Sequence, residues 1–260
     1  RNCSRTEMKK ENIILWLASF VIVFLAVYIS NILDEDYPIT STFGIEGKKV
    51  SYRFEKVHYG NEDYNVIIRT DVADLAGKLF WKGETDSDWQ SKEFKKSDMI
   101  LSGSIPALEP TEKINYYIEL YHRDKKYFLP DNQKVTLTYF GKIPLFINVL
   151  EHFLLYLGLV LAVRTGLEFF NNGAKTKKFG FLTLILFLPH IVLINPLYLT
   201  YKYGFINSSI PPISKLFLLS DIGIFIIWIG TMITIFVSDK FKPLPLMSSI
   251  LILIIYVLFR

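Results

Sequence analysis

Three residues with metal-binding or proton-carrying side chains lie inside strongly apolar runs of this sequence: His152, His190 and Asp221. Imidazole nitrogens and carboxylate oxygens are the groups that zinc, copper and iron take from proteins. Glu151 stands beside His152, and Asn195 follows His190 in the same run. Ionisable groups are costly to place in an apolar span, so each marks a candidate site. Counted along helices at about 1.5 Å per residue, all five fall within roughly 7–15 Å of one end of their runs. That depth allows one polar pocket, with His152, His190 and Asp221 as metal or proton ligands and Glu151 and Asn195 beside them. No pair is spaced as H-x-x-x-H, and interhelical hydrogen bonding is the competing reading of the same residues. The residues specify no particular cofactor.

A second pair lies further along. Arg164 and Glu168 are spaced i, i+4, so they can meet on one helix face. Arg164 also suits a topological anchor or a contact to lipid phosphate. In the polar stretch, His58 and His122 have no second ligand close in sequence and read as strand residues. Phe80, Trp81, Trp89, Tyr116, Tyr117 and Tyr121 suit either a peptide- or carbohydrate-binding face or a strand core. Asn207-Ser208-Ser209 matches the glycosylation sequon and carries little weight beside an apolar run. No G-x-S-x-G, H-E-x-x-H, C-x-x-C, P-loop or G-x-G-x-x-G stretch occurs, which argues against the common hydrolase, zincin, thiol-redox and nucleotide-binding classes. The single cysteine, Cys3, excludes an internal disulfide.

The elements that must position these residues follow from hydropathy. Of the 260 residues, 51% are hydrophobic, and they are unevenly spread. Residues 34–143 are rich in Lys, Glu, Asp and Tyr, whereas the flanks are mostly Leu, Ile, Phe and Val. Five apolar runs are predicted as helices: Ile13–Leu33, Leu145–Val163, Phe179–Leu199, Leu216–Val237 and Leu246–Phe259. A run of about 20 apolar residues is long enough to cross a bilayer, and the last of the five is short for a full span. The first is too long for a typical signal-peptide core and lacks a small-x-small cleavage site. Pro189 is expected to kink the third run and Pro196 to end it.

Arg1, Arg5, Lys9 and Lys10 precede the first run, and Asp34, Glu35 and Asp36 follow it. Arg164, Lys175, Lys177 and Lys178 mark a second basic segment, and Lys240 and Lys242 a third. The positive-inside rule then places the N-terminus in the cytoplasm and residues 34–143 outside. The formal net charge of +4 therefore reads as topology, with the lipid bilayer as partner and no nucleic acid.

Residues 34–143 alternate in strand fashion over Lys49–His58, Tyr64–Thr70, Lys78–Lys82, Trp89–Lys95, Met99–Ile105, Ile114–His122 and Val135–Phe140. About seven short strands in roughly 100 residues favour a β-sandwich. The run Gly77-Lys-Leu-Phe-Trp-Lys, then Asp88-Trp89-Gln90, Leu101-Ser-Gly-Ser-Ile-Pro106 and Ile114-Asn-Tyr-Tyr-Ile-Glu-Leu120 resembles bacterial fibronectin type III or Ig-like modules. The plan as a whole is similar to a group of bacterial polytopic membrane proteins with such an extracytoplasmic domain. The shared features are His152-Phe153 leading to Arg164-Thr-Gly-Leu-Glu168, then Asn195-Pro196 and Tyr203-Gly204. An acidic stretch before the fourth helix is common in that group, and Ser214-Lys-Leu-Phe-Leu-Leu-Ser220 stands in its place here.

These readings describe a membrane protein with an α-helical transmembrane bundle and an all-β sandwich. Residues 1–33 form a cytoplasmic tail and first helix, 34–143 the sandwich, and 144–260 four further helices. The expected location is the cell (inner) membrane. The expected function is a non-enzymatic scaffold or accessory subunit whose sandwich binds an envelope protein partner. The alternative is a small-solute or metal-handling protein that uses the intramembrane polar residues, and a membrane enzyme ranks last.

Overall fold

The computed structural model describes residues 2–131, 133–171, 175–207, 211–238 and 241–259. Asp239 and Lys240 of the third basic segment, and Ser208 and Ser209 of the sequon, lie outside the described residues. The chain divides into two compact units. One comprises Arg1–Asp34, Pro144–Thr200 and Ser209–Arg260, and the other Glu35–Ile143 with Tyr201–Ser208.

The second unit is built from strands that alternate between core and surface. In β4 (Tyr64–Thr70) every second residue, Tyr64, Val66, Ile68 and Thr70, is buried. In β9 (Lys113–His122), Ile114, Tyr116, Ile118 and Leu120 do the same. A period of two puts alternate side chains on opposite faces, so each strand presents one apolar face. The sheet order β1 (Ile39–Ile45), β2 (Lys48–Phe54), β4, β8 (Ile100–Ile105), β7 (Lys95–Ser97) makes a five-stranded sheet. A second sheet runs β3 (Val57–Tyr59), β11 (Val135–Phe140), β9, β5 (Ala76–Gly83), β6 (Gln90–Glu93), and β10 (Lys125–Leu129) also pairs with β9. Pairings are antiparallel except β3 with β11. Val50, Phe54, Val66 and Ile68 of the first sheet share one apolar core with Leu79, Tyr116, Ile118 and Leu137 of the second.

Several strands depart from the predicted ones. The run Lys49–His58 breaks between Phe54 and Val57, so its two parts serve different sheets. The run Trp89–Lys95 also divides. Phe94 leaves β6, where its N–H donates to the Gly77 carbonyl at 2.8 Å, and β7 then joins the other sheet. In β1 the apolar residues Ile39, Phe43 and Ile45 are interrupted by Thr40, Ser41 and Thr42, and in β10 Tyr127, Phe128 and Leu129 are consecutive, so neither carries a clean alternating signal. The β1–β2 hairpin turns on Glu46 and Gly47, both at positive φ. A two-residue turn with two such residues matches the twist of paired strands.

The first unit holds α1 (Asn2–Leu33), α2 (Leu145–Leu167), α3 (Thr176–Pro189), α4 (Asn195–Lys202), the short α5 (Ile213–Leu216), α6 (Leu219–Val237) and α7 (Leu244–Phe259). A 3-10 turn, Glu168–Asn171, extends α2, and a π-helical turn, His190–Ile194, joins α3 to α4. Four segments are long and apolar enough to cross a membrane: Glu11–Leu33, Leu145–Asn171, Thr176–Lys202 and Leu219–Val237. Helix α7 is a shorter apolar helix. Helix α2 packs on α1, α3 and α7, and α6 lies against α3 and α7. Close approach needs small residues. A Cβ on Gly158 would collide with the Phe187 ring, and one on Gly166 with Ser249 and the α7 backbone at Leu246.

Pro196 does not end the third span as expected. It follows the π turn inside the continuous helical segment Thr176–Lys202. The π turn lies between Pro189 and Pro196, and a widened turn is the usual way a helix absorbs a lost backbone donor. The fourth predicted run starts late. Leu216 closes α5, Phe217 is extended, and α6 begins at Leu219.

Candidate functional site

Two contacts join predicted polar residues: Asn195 with Asp221, and Glu151 with His152. Asn195, at the start of α4, donates from Nδ2 to Asp221 Oδ2 at 2.6 Å, and both residues are buried. Asp221 lies in the first turn of α6, where exposed backbone N–H groups favour a carboxylate. Asn195 Oδ1 has no hydrogen-bond partner among the described residues. On α2, Glu151 is buried and its Oε2 lies 2.8 Å from His152 Nδ1. The same nitrogen is 2.8 Å from the Asn148 carbonyl, and the His152 ring is ringed by Tyr156 and Tyr198. His190 is buried in the π turn. Among the described residues no group of three or more His, Cys, Asp or Glu is gathered to hold a metal ion.

Arg164 and Glu168 do meet, with Nη2 2.6 Å from Oε1 and both side chains wholly buried. The rest of the setting is not legible from their spacing. Arg164 Nη2 also donates to Asn12 Oδ1 of α1 at 2.6 Å, and its guanidinium lies over the Trp16 and Phe179 rings. Glu168 Oε2 accepts the Lys175 backbone N–H at 3.2 Å. This cluster joins α1, α2 and α3. Buried pairs of this kind are maintained only where further hydrogen bonds satisfy their charges. Three other bonds cross between helices or hold them: Trp228 Nε1 to the Gly180 carbonyl at 3.1 Å, Thr231 Oγ1 to Ser248 Oγ at 2.6 Å, and Thr183 Oγ1 to Phe179 O at 2.9 Å.

In the β unit the six aromatics are sorted by strand alternation. Trp81 and Tyr116 point into the core. Tyr116 O–H donates to the Glu55 carbonyl at 3.1 Å, and burial holds its phenol well above its usual range. Burial also pushes Tyr139 up to about 12. Phe80, Trp89, Tyr117 and Tyr121 form the outward face of the six-stranded sheet. Phe80 and Tyr117 stack at 4.9 Å and 2°, and Trp89 meets Tyr117 edge-on at 4.9 Å. Lys78 lies over Phe80, Lys134 over Trp89, and Lys126 over Phe128 and Tyr121. Lys126 also pairs with Glu119 at 2.8 Å, and Tyr121 O–H donates to Glu119. That hydrogen bond is the main reason the Tyr121 phenol is pushed up to about 12.

Sequence reasoning passed over Glu46. Its carboxylate meets Arg123 Nη1 at 2.6 Å and His122 Nε2 at 3.3 Å, so it joins the β1–β2 turn to the β9–β10 turn. The hydrogen bond from His122 lowers its pKa, with Arg123 adding to the effect. His58 contacts the Tyr64 and Tyr139 rings and the Glu62 carbonyl, as a strand residue would. No protein-family model matches the chain. A search of curated proteins also returns no match.

Proposed function

We propose that this is a multi-pass protein of a bacterial cell (inner) membrane. It is a non-enzymatic scaffold or accessory subunit, with a fibronectin type III- or Ig-like domain that binds an envelope protein partner. Two sheets around one core support that domain type. Four apolar helices and the basic segments beside them support insertion, with the N-terminus cytoplasmic and residues 34–143 extracytoplasmic.

One observation carries the binding function: the outward stack of Trp89, Tyr117 and Phe80, with Lys78 over Phe80, Lys134 over Trp89, and Lys126 over the neighbouring Tyr121 and Phe128. A solvated sheet face has no need of aromatics, whereas aromatic anchors are enriched where proteins meet. The lysines select a partner segment with acidic side chains. The test is a photo-crosslinking residue placed at Tyr117, with Thr42 on the other sheet as control. The proposal expects capture of one protein from position 117 only, reduced roughly tenfold by Lys126→Glu with Lys134→Glu. Capture equal at both positions, or unchanged by the charge reversal, contradicts it.

The buried Asn195–Asp221 pair, and buried Glu151 against the half-exposed His152, favour a second reading, small-solute or metal handling by the helices. That reading expects metal content to fall in the His152→Ala/His190→Ala double variant. Unchanged content removes its metal form.

A further inference from the structure

The five-stranded sheet also has an outward face, and its chemistry differs from that of the aromatic one. A groove of about 670 Å³ crosses β1, β2 and β4, within the roughly 300–1,000 Å³ typical of ligand sites. Register sets its floor. Thr40 pairs with Arg53 and Thr42 with Ser51. Ser51 in turn pairs with Arg69, while Asn65 and Ile67 come from β4. Its tyrosines, Tyr52 and Tyr64, are buried, so the exposed floor offers hydroxyls, an amide, two guanidinium groups and one aliphatic side chain, Ile67 at 46% exposure.

Charge narrows the ligand. Arg53 Nε donates to Glu55 Oε1 at 2.6 Å, so that guanidinium is already matched. Arg69 has no ion pair among the described residues. Two arginines and one glutamate therefore leave one net positive charge in the groove. A singly charged carboxylate suits that balance and the planar fork of Arg69. A peptide strand is a poor fit. The backbone of β2 and β4 is already paired on both sides, and the floor has no apolar pockets for side chains. A ligand held here must supply many hydroxyls and a carboxylate.

We infer that this groove binds a carboxylated saccharide, with sugar hydroxyls against Thr40, Thr42, Ser51 and Asn65 and the uronic carboxylate on Arg69. The site is independent of the aromatic face. The experiment is calorimetric titration of the full chain, in nanodiscs of uncharged lipid, with a galacturonic acid trisaccharide and with maltotriose. The acidic sugar should bind and the neutral one bind at least roughly tenfold more weakly, with Arg69→Ala removing that preference. Thr42→Ala with Ser51→Ala should weaken binding without restoring binding of the neutral sugar over the acidic one. Lys126→Glu with Lys134→Glu should leave saccharide binding intact while it reduces protein capture roughly tenfold, so the two readings fail separately. No heat from the acidic sugar, equal affinity for both sugars, or affinity unchanged in Arg69→Ala overturns the inference. Poly-glutamate bound as tightly through Arg69 overturns the saccharide class.

Discussion

In the β unit the interior holds Val50, Phe54, Leu79 and Leu137, and Thr42, Ser51, Arg69 and Lys78 face out. In the helical unit Arg164, Glu168, Asn195 and Asp221 are buried, while Phe24, Leu188, Ile226 and Leu251 are exposed. The helical unit has an apolar core as well, with Leu155, Leu159, Phe187 and Trp228, but it adds buried charge inside and apolar side chains along its outer faces. Water rewards the first arrangement, because burying apolar surface is the main favourable contribution to folding. The second is stable where the surroundings are as apolar as leucine, since burial of aliphatic groups then contributes little and buried polar contacts do the joining. Under the proposed membrane insertion, the difference between the units is a difference in the solvent each meets.

The largest expected effect is on the buried ion pair. Arg164→Met leaves Glu168 charged, buried and unmatched, and should destabilise the helical unit by about 3–5 kcal/mol. The double variant Arg164→Met/Glu168→Leu should recover most of that loss, in unfolding followed in detergent. A double variant as unstable as the single one would show that the cluster stabilises by shape rather than by charge matching.

In the β unit the sensitive position is apolar. Leu137→Ala should cost about 2–5 kcal/mol through the cavity it opens, as read from chemical denaturation of the intact protein. The exposed Thr42→Ala should change stability by less than about 0.5 kcal/mol.

A smaller effect is expected at Asn195. Removing its bond to Asp221 by Asn195→Ala should cost about 0.6–1.7 kcal/mol, the range for interhelical hydrogen bonds. The smallest effect is set by pH. The Glu46 carboxyl titrates below its ordinary value of 4.5. Its contribution is therefore complete above that value and is lost as pH falls through the lower folded value. Unfolding midpoints of the wild type should drop faster than those of Glu46→Gln between about pH 5 and 3. Parallel profiles would remove Glu46 as the tie between the two hairpin turns.

Apolar run length makes the helices legible in the sequence, as the spans Leu145–Asn171 and Thr176–Lys202 illustrate. Strand alternation does the same for β4, a pure period of two, and for β9, which keeps it except at the buried Glu119. Where neither signal exists, elements went unseen. Strand β1 is half hydroxyls, and β3 is three residues long. The Arg164–Glu168 pair follows from spacing, but Asn12, Trp16 and Phe179 reach it through tertiary packing that no local pattern encodes. The aromatic face is a related case. Trp81 and Phe80 are neighbours in sequence, and only the phase of β5 sends one inward and the other out.

The most direct test is spin-label accessibility in bilayers. With Cys3 replaced by Ser, single cysteines are introduced at Phe24, Ile226 and Leu251 on the helices and at Thr42 and Lys78 on the sheets. The account predicts that labels at the helical positions collide with dissolved oxygen and are shielded from a water-soluble nickel complex. Labels at the sheet positions should show the reverse. Nickel-accessible labels at Phe24, Ile226 and Leu251 would contradict it, because the apolar faces of those helices would then meet water rather than lipid.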